Sequence, residues 1–393
     1  MASEKHSLSS EVEISFQSKL PGVGTTIFTV MSALAAKHNA INLGQGFPDI
    51  PGYEGLFKLV YEKMQGGKNQ YAPMQGIPEL RQAISEKINA LYHHDYDPSQ
   101  EIVITAGGTQ ALFTAITAFI HPGDEVIVFD PVYDCYEPAV ELCGGKTIHI
   151  PMAPPDFRPD FDRIKAALSP KTKMVILNSP NNPAGSVWRK EDMQQLENLL
   201  MGTGIIVLSD EVYEHLVFHP EGHQSVARYP GLAQRSFLVA SFGKTYHNTG
   251  WKIGYIAGPE KLMNEFKKVH QFNVFAVNAP VQYALADFIR EKSHYLTLAS
   301  QMQEKRDYFL QLIKNSRWKF TPAEGTYFQL LDYSGISDQN DREFSEYLVK
   351  EKGLAAIPVS VFYQHPGNEK LLRFCFAKKN ETLEAAANIL NAL

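Results

Sequence analysis

Lys244 stands in the run Ser241-Phe242-Gly243-Lys244-Thr245, directly after the apolar stretch Phe237-Leu238-Val239-Ala240. That stretch reads as a buried strand, which puts the lysine at the strand's mouth. An ammonium there must be solvated, meet an anion, or give up its charge to a covalent partner. Burial lowers the pKa of an amine and frees it as a nucleophile, and Schiff-base formation with an aldehyde is the chemistry that uses it. Pyridoxal phosphate is the aldehyde cofactor commonly held in this way. The plain alternative is a surface lysine, so the reading depends on what the rest of the chain supplies. A P-loop is excluded, because the glycine it needs five residues before Gly243 is replaced by Leu238.

Such a cofactor needs a phosphate cradle, an acid for its ring nitrogen and a clamp for a substrate carboxylate. Gly107, Gly108 and Thr109 lie between the strand-like Ile102–Thr105 and the helical Gln110–Ile120. Two glycines let the backbone approach an anion, and the helix start offers unpaired N–H groups. An ordinary strand-to-helix turn uses glycines too, and the spacing is not that of a dinucleotide fingerprint. Ser241 and Lys252 flank Lys244 and could add a hydroxyl and a charge to the cradle. Asp210 ends the run Ile205–Ser209 and could keep a pyridine nitrogen protonated; a helix-capping aspartate is the alternative. Tyr213, three residues on, could bond the ring's phenolic oxygen, and Tyr133, after the strand-like Glu125–Phe129, could stack on its face or simply be core. Asn182 sits in Asn178-Ser179-Pro180-Asn181-Asn182-Pro183, where the prolines stiffen the turn, and could donate to that oxygen and to a substrate carboxylate. Arg373 lies inside the apolar Leu371–Phe376, where its fork would suit a carboxylate ligand or a structural salt bridge.

The elements that must position these residues follow from the pattern of the chain. Apolar runs at Ile102–Thr105, Glu125–Phe129, Met174–Asn178, Ile205–Ser209, Phe237–Ser241 and Ile253–Ala257 alternate with helical stretches such as Gln110–Ile120 and Lys190–Met201. This predicts an α/β fold with a mostly parallel sheet sandwiched by helices, its ligands at the carboxyl ends of the strands. The last hundred residues predict a smaller α+β domain: helices near Tyr295–Asn315, Asp341–Glu351 and Glu381–Leu393, with strands at Tyr327–Asp332, Gly353–Ile357 and Leu371–Phe376. The expected division is 1–40 joining the small domain, 41–290 as the large cofactor-binding domain, and 291–393 as the small one.

Composition sets outer bounds. The 393 residues suffice for two domains, and 44% hydrophobic with 20% charged residues is a globular balance. A net charge of -6 gives no support to nucleic-acid or anionic-membrane binding. Cys135, Cys143 and Cys375 form neither a disulfide framework nor a metal site, and no apolar stretch is long enough to span a bilayer. The opening Met1–His6 lacks the apolar core of a secretory signal, and Glu4, Glu11 and Glu13 with no arginine argue against organelle targeting. A cytoplasmic protein is expected.

With these parts assembled, the chain resembles the fold-type I pyridoxal-phosphate aminotransferases of class I/II. Ser241-Phe242-Gly243-Lys244, Gly250-Trp251-Lys252-Ile253-Gly254, Asn181-Asn182-Pro183 and Ser209-Asp210-Glu211-Val212-Tyr213 stand in that family's order and spacing, from about Phe16 onward. Gln45-Gly46-Phe47-Pro48-Asp49, Asn69-Gln70-Tyr71-Ala72-Pro73 and Gly243-Lys244-Thr245-Tyr246-His247 look like its methionine and kynurenine/glutamine transaminase branch. The resemblance implies Lys244 as the residue that bonds the cofactor and moves the proton, with Asp210 on the ring nitrogen. It implies Asn182 and Tyr213 on the phenolic oxygen, Tyr133 on the ring face, and Gly107, Gly108, Thr109, Ser241 and Lys252 around the phosphate. Arg373 and Asn182, with the Gly46 backbone nearby, would hold the substrate carboxylate. Tyr71 would reach the neighbouring subunit's phosphate, which implies a homodimer. Lysine at 252, where many relatives carry arginine, is common in this branch.

The expected activity is two-step transfer of an α-amino group from a bulky neutral amino acid, methionine first and aromatic next, to a 2-oxo acid. Ile27, Phe28, Tyr71 and Phe275 are the expected apolar pocket residues, and no second arginine clamp for an acidic donor stands out. The alternatives are a cofactor-sharing carbon–sulfur β-lyase acting on cysteine conjugates and, further off, a non-enzymatic regulator on the same fold.

Overall fold

The computed structural model of the protein describes residues 14–393; Met1–His6 and the glutamates of the first thirteen positions, on which the targeting expectation rests, lie outside the described residues. The strands are, in chain order, β1 (Ile41–Asn42), β2 (Ile102–Thr105), β3 (Glu125–Asp130), β4 (Lys146–Pro151), β5 (Thr172–Asn178) and β6 (Ile206–Asp210). They continue with β7 (Ser236–Ser241), β8 (Gly254–Ala257), β9 (Phe328–Asp332), β10 (Leu354–Ala355), β11 (Ile357–Pro358) and β12 (Leu371–Cys375). Seven form one sheet in the order β2-β8-β7-β6-β5-β3-β4. Only β8 runs against its neighbours, so the sheet is mostly parallel.

Continuous apolar runs make these strands because both faces of the sheet are covered. Their period of two sorts them into two cores. Val126, Val128, Met174, Ile176, Leu208, Phe237 and Val239 pack on one face with the helix Gly108–Phe119. Ile127, Phe129, Val175, Leu177, Val207 and Leu238 pack on the other with the helix Pro78–Tyr92. Strand β4 was not anticipated. It is an edge strand held only by β3, and its Lys-Thr-Ile-His-Ile-Pro sequence alternates instead of running apolar.

The smaller layer is a three-stranded antiparallel sheet, β11-β12-β9, over a core that includes Phe309, Trp318, Leu331 and Phe374. The single strand expected at Gly353–Ile357 is two. Strand β10 pairs in parallel with β1, whereas β11 pairs with β12. The helix Ile27–Lys37 lays Met31 and Ala35 against Ala355, Ile357 and Phe362. Because β1 and Leu43 also pack here, the chain leaves this layer a few residues after the boundary expected at 40. Among the described residues no helix is long and apolar enough to cross a membrane.

Candidate active site

The carboxyl ends of β2, β5, β6 and β7 open onto one cavity of about 230 Å³, closed from the small layer by Phe28, Gly46, Phe328 and Arg373. Gly107, Gly108, Thr109, Tyr133, Asn182, Asp210, Tyr213, Ser241, Lys244 and Lys252 all line it as well. Of the residues singled out in the sequence for the site itself, Tyr71 alone is elsewhere. It is 83% exposed, and its ring meets Phe275 edge-on on the surface. Among the four expected apolar pocket residues only Phe28 lines this chain's cavity; Ile27, Tyr71 and Phe275 do not. Tyr71 and Phe275 are both exposed.

One end of the cavity is built for an anion. Gly107 caps the helix Gly108–Phe119 at φ 80, a left-handed conformation that favours glycine, and no side chain caps the helix in its place. A Cβ on Gly108 would come within 2.8 Å of Val212, and one on Gly107 would lie 3.5 Å from Lys252 Nζ. Helix start, Lys252 ammonium and the Thr109 and Ser241 side chains therefore converge. No ion pair among the described residues involves Lys252, Lys244 or Arg373. Two sources of positive potential facing each other with hydroxyls and no carboxylate fit a phosphate monoester.

Asp210 and Asn178 end neighbouring strands in register. Asn178 donates to the Asp210 carbonyl at 3.1 Å and accepts the Asn182 amide at 2.8 Å, which sets the Asn-Asn-Pro turn against β6. The Asp210 carboxylate is buried and accepts from the Tyr136 hydroxyl at 2.6 Å and the Val212 amide at 3.3 Å. Burial pushes its pKa up to about 6 against the pull of Tyr136, Val212 and Lys244. It has neutral donors but no cation within ion-pair reach, so a protonated ring nitrogen would complete it.

Lys244 begins almost at once after β7, in the short helix Phe242–Thr245, and its Nζ donates to the Gly46 carbonyl at 3.3 Å. Burial pulls its pKa down to about 8, with Arg373 adding to the fall and Cys375 and Asp210 opposing it. Roughly a tenth of the amine is therefore free base at pH 7, far more than for an exposed lysine. Arg373 is 1% exposed. Its Nη1 donates to Asn182 Oδ1 at 2.5 Å and its Nη2 to the Gly44 carbonyl at 2.8 Å, while Nε has no partner. The structural salt bridge that the sequence left open is not formed. The guanidinium lies 3.9 Å over the Phe328 ring instead.

Asn178, Val212 and Phe328 also line the cavity, and Tyr136 bonds Asp210, without a motif that marks them. Asn178 carried a signal, a polar residue ending a buried strand as Asp210 does. Tyr136 carried none, because it meets Asp210 only through packing across 74 positions.

The model of the family "Aminotransferase class I and II" matches residues 38–390. The chain belongs to that family. It is 50% identical over 378 residues to the methionine aminotransferase of Escherichia coli K12, spanning 96% of this chain and 98% of that protein. Human kynurenine–oxoglutarate transaminase 1 is 32% identical, with 93% and 95% covered. A solved E. coli methionine aminotransferase superposes with a TM-score of 0.95 at 49% identity, covering 97% of this chain and 100% of that one. The resemblance read from the motifs is thus the family, and the α/β sandwich is its fold.

The buried carboxylate of this aminotransferase leads to a testable consequence. A carboxyl whose pKa rises on folding binds more protons in the folded state, so the stability it contributes falls as pH rises through that window. For Asp210 the window runs from the ordinary carboxyl value of 3.8 to about 6, and the loss amounts to roughly 3 kcal/mol. Cofactor-free Asp210→Asn should therefore be at least as stable as wild type at pH 8, with the difference shrinking toward pH 4. Denaturant unfolding at both pH values checks this; a constant difference would mean the carboxylate is not strained by burial.

Proposed function

We propose that this aminotransferase uses pyridoxal phosphate to move the α-amino group of methionine, and next of aromatic amino acids, to a 2-oxo acid. The observation that carries the reading is one cavity holding an unpaired lysine, an unpaired arginine, a buried carboxylate and an uncapped helix start. Gly107, Gly108, Thr109, Ser241 and Lys252 would hold the phosphate, Tyr133 the ring face, Asp210 the ring nitrogen, and Asn182 and Tyr213 the phenolic oxygen. When bound, the cofactor supplies an aldehyde for the amino group and a ring that stores the electrons of the broken Cα–H bond. Arg373 and Asn182, with the Gly46 backbone beside them, orient the substrate carboxylate. Lys244 Nζ would take the proton from the substrate α-carbon as general base and would deliver it to the cofactor carbon next to the ring, and water would then release the 2-oxo acid. The first product leaves before the second substrate enters, which gives ping-pong kinetics.

Methionine preference is supported by the 50% identical E. coli relative and by Phe28 and Phe328 in the cavity wall. Among the described residues Arg373 is the only arginine lining the cavity, which disfavours an acidic donor. A homodimer, with Tyr71 completing the neighbour's phosphate site, is supported by the exposure of Tyr71. Three free cysteines suit a cytoplasmic setting.

The test is the absorbance spectrum of purified protein before and after L-methionine, with no 2-oxo acid present. The visible cofactor band should convert to the near-ultraviolet band of its aminated form. A band that persists while cysteine conjugates yield pyruvate and ammonia would favour the β-lyase. No band after adding pyridoxal phosphate would end the cofactor reading.

A further inference from the structure

Behind the cavity lies a closed polar cluster to which the mechanism gives no part. Glu214 sits on the turn that carries Asp210 and Tyr213 and is buried. Its Oε1 accepts from Lys87 Nζ at 2.5 Å and from the Tyr255 hydroxyl at 3.0 Å, and its Oε2 from the Tyr92 hydroxyl at 2.6 Å. Lys87 Nζ also donates to Tyr255 Oη at 2.9 Å and lies 3.3 Å from His215 Nε2. A buried ion pair is weak support for stability in itself, because apolar side chains of similar volume often serve as well. The connections of this one are more informative.

Tyr255 lies on β8 between Ile104 of β2 and Ala240 of β7. Strand β2 runs into Gly107–Thr109, and β7 runs into Ser241 and Lys244. Ser241 borders both the cavity and the space beside Lys87, Glu214 and Tyr255. One carboxylate thus ties the Asp210–Tyr213 turn to the strand that lies between the anion cradle and the lysine. Tyr92 and Lys87 tie the same carboxylate to the helix Pro78–Tyr92, which lines no part of the cavity.

We propose that Glu214 is a positioning residue which, through Tyr255, sets the distance between the Asp210–Tyr213 turn and the cradle with Lys244. The proposal rests on the cavity being the pyridoxal-phosphate site. Tyr255→Phe and Tyr92→Phe each remove one hydroxyl from the same carboxylate, but only Tyr255 stands on a strand paired directly with two strands of the site, β2 and β7. For the wild type, both variants and Glu214→Gln, three quantities would be measured. They are the unfolding midpoint, the apparent dissociation constant for pyridoxal phosphate, and the pH midpoint of the bound cofactor's visible band.

Tyr255→Phe and Glu214→Gln should weaken cofactor binding on the order of tenfold, the scale of losing an outer hydrogen-bond partner, and should move the band's pH midpoint. Tyr92→Phe should lower the unfolding midpoint yet keep wild-type affinity and band. Affinity that is unchanged in Tyr255→Phe, or that follows the unfolding midpoint alike in both tyrosine variants, overturns the proposal. If Glu214→Gln is insoluble, the two phenylalanine variants decide. Wild type without a cofactor band would remove the underlying reading, whereas a normal wild-type band with indistinguishable variants would remove the positioning role alone.

Discussion

Lys244→Ala should fold and yet lose methionine turnover by roughly 10⁴-fold or more. The loss follows from what the amine does and from the lack of any substitute. On the proposed reading it both bonds the cofactor and carries the proton at the substrate α-carbon. Its pKa, lowered by burial to about 8, brings its free-base form within reach near neutral pH. The other lysine of the cavity, Lys252, sits against Gly107 at the anion end, so it cannot reach the same place. Folding should survive because the substitution removes a buried cation that has no carboxylate partner. The backbone contact at this position, from the Tyr327 hydroxyl to the Lys244 carbonyl, does not involve the side chain. Steady-state rates together with a thermal unfolding curve check both halves. Near-normal turnover in a folded variant would sink the assignment of Lys244.

Arg373→Leu should reduce kcat/KM for methionine by tens- to thousands-fold while leaving the cofactor band intact before substrate is added. Losing one side of a buried, hydrogen-bonded charge pair costs about 2–5 kcal/mol, and about 1.4 kcal/mol corresponds to a factor of ten. The structure gives the arginine little reason to be charged and buried other than an incoming anion. It remains a cation at working pH even though burial pulls its pKa down to about 10. Its protein partners are a neutral amide and a carbonyl, and its Nε has none. Arg373→Lys keeps the charge and loses the fork, so it should recover only part of the loss. An unchanged KM for methionine in Arg373→Leu would place the substrate carboxylate elsewhere.

The parts whose causes are local are legible in the order of the residues. Runs such as Val126–Phe129 and Met174–Leu177 must be buried on both faces, which makes them strands of a covered parallel sheet. A polar residue ending such a run falls at the sheet's ligand edge, and Asp210, Ser241 and Lys244 were legible for that reason. Strand β4 and the split of residues 353–357 were not, because an alternating edge strand and two-residue pairings carry too little pattern. Which distant groups meet is set by tertiary packing. It brought Asn178 level with Asp210, set Tyr136 on its carboxylate, left Arg373 without an acidic partner and turned Tyr71 outward. Each of these outcomes depends on the packing of elements far apart in the chain. Residue type and spacing state what a side chain can do, while burial and its neighbours in space fix what it meets.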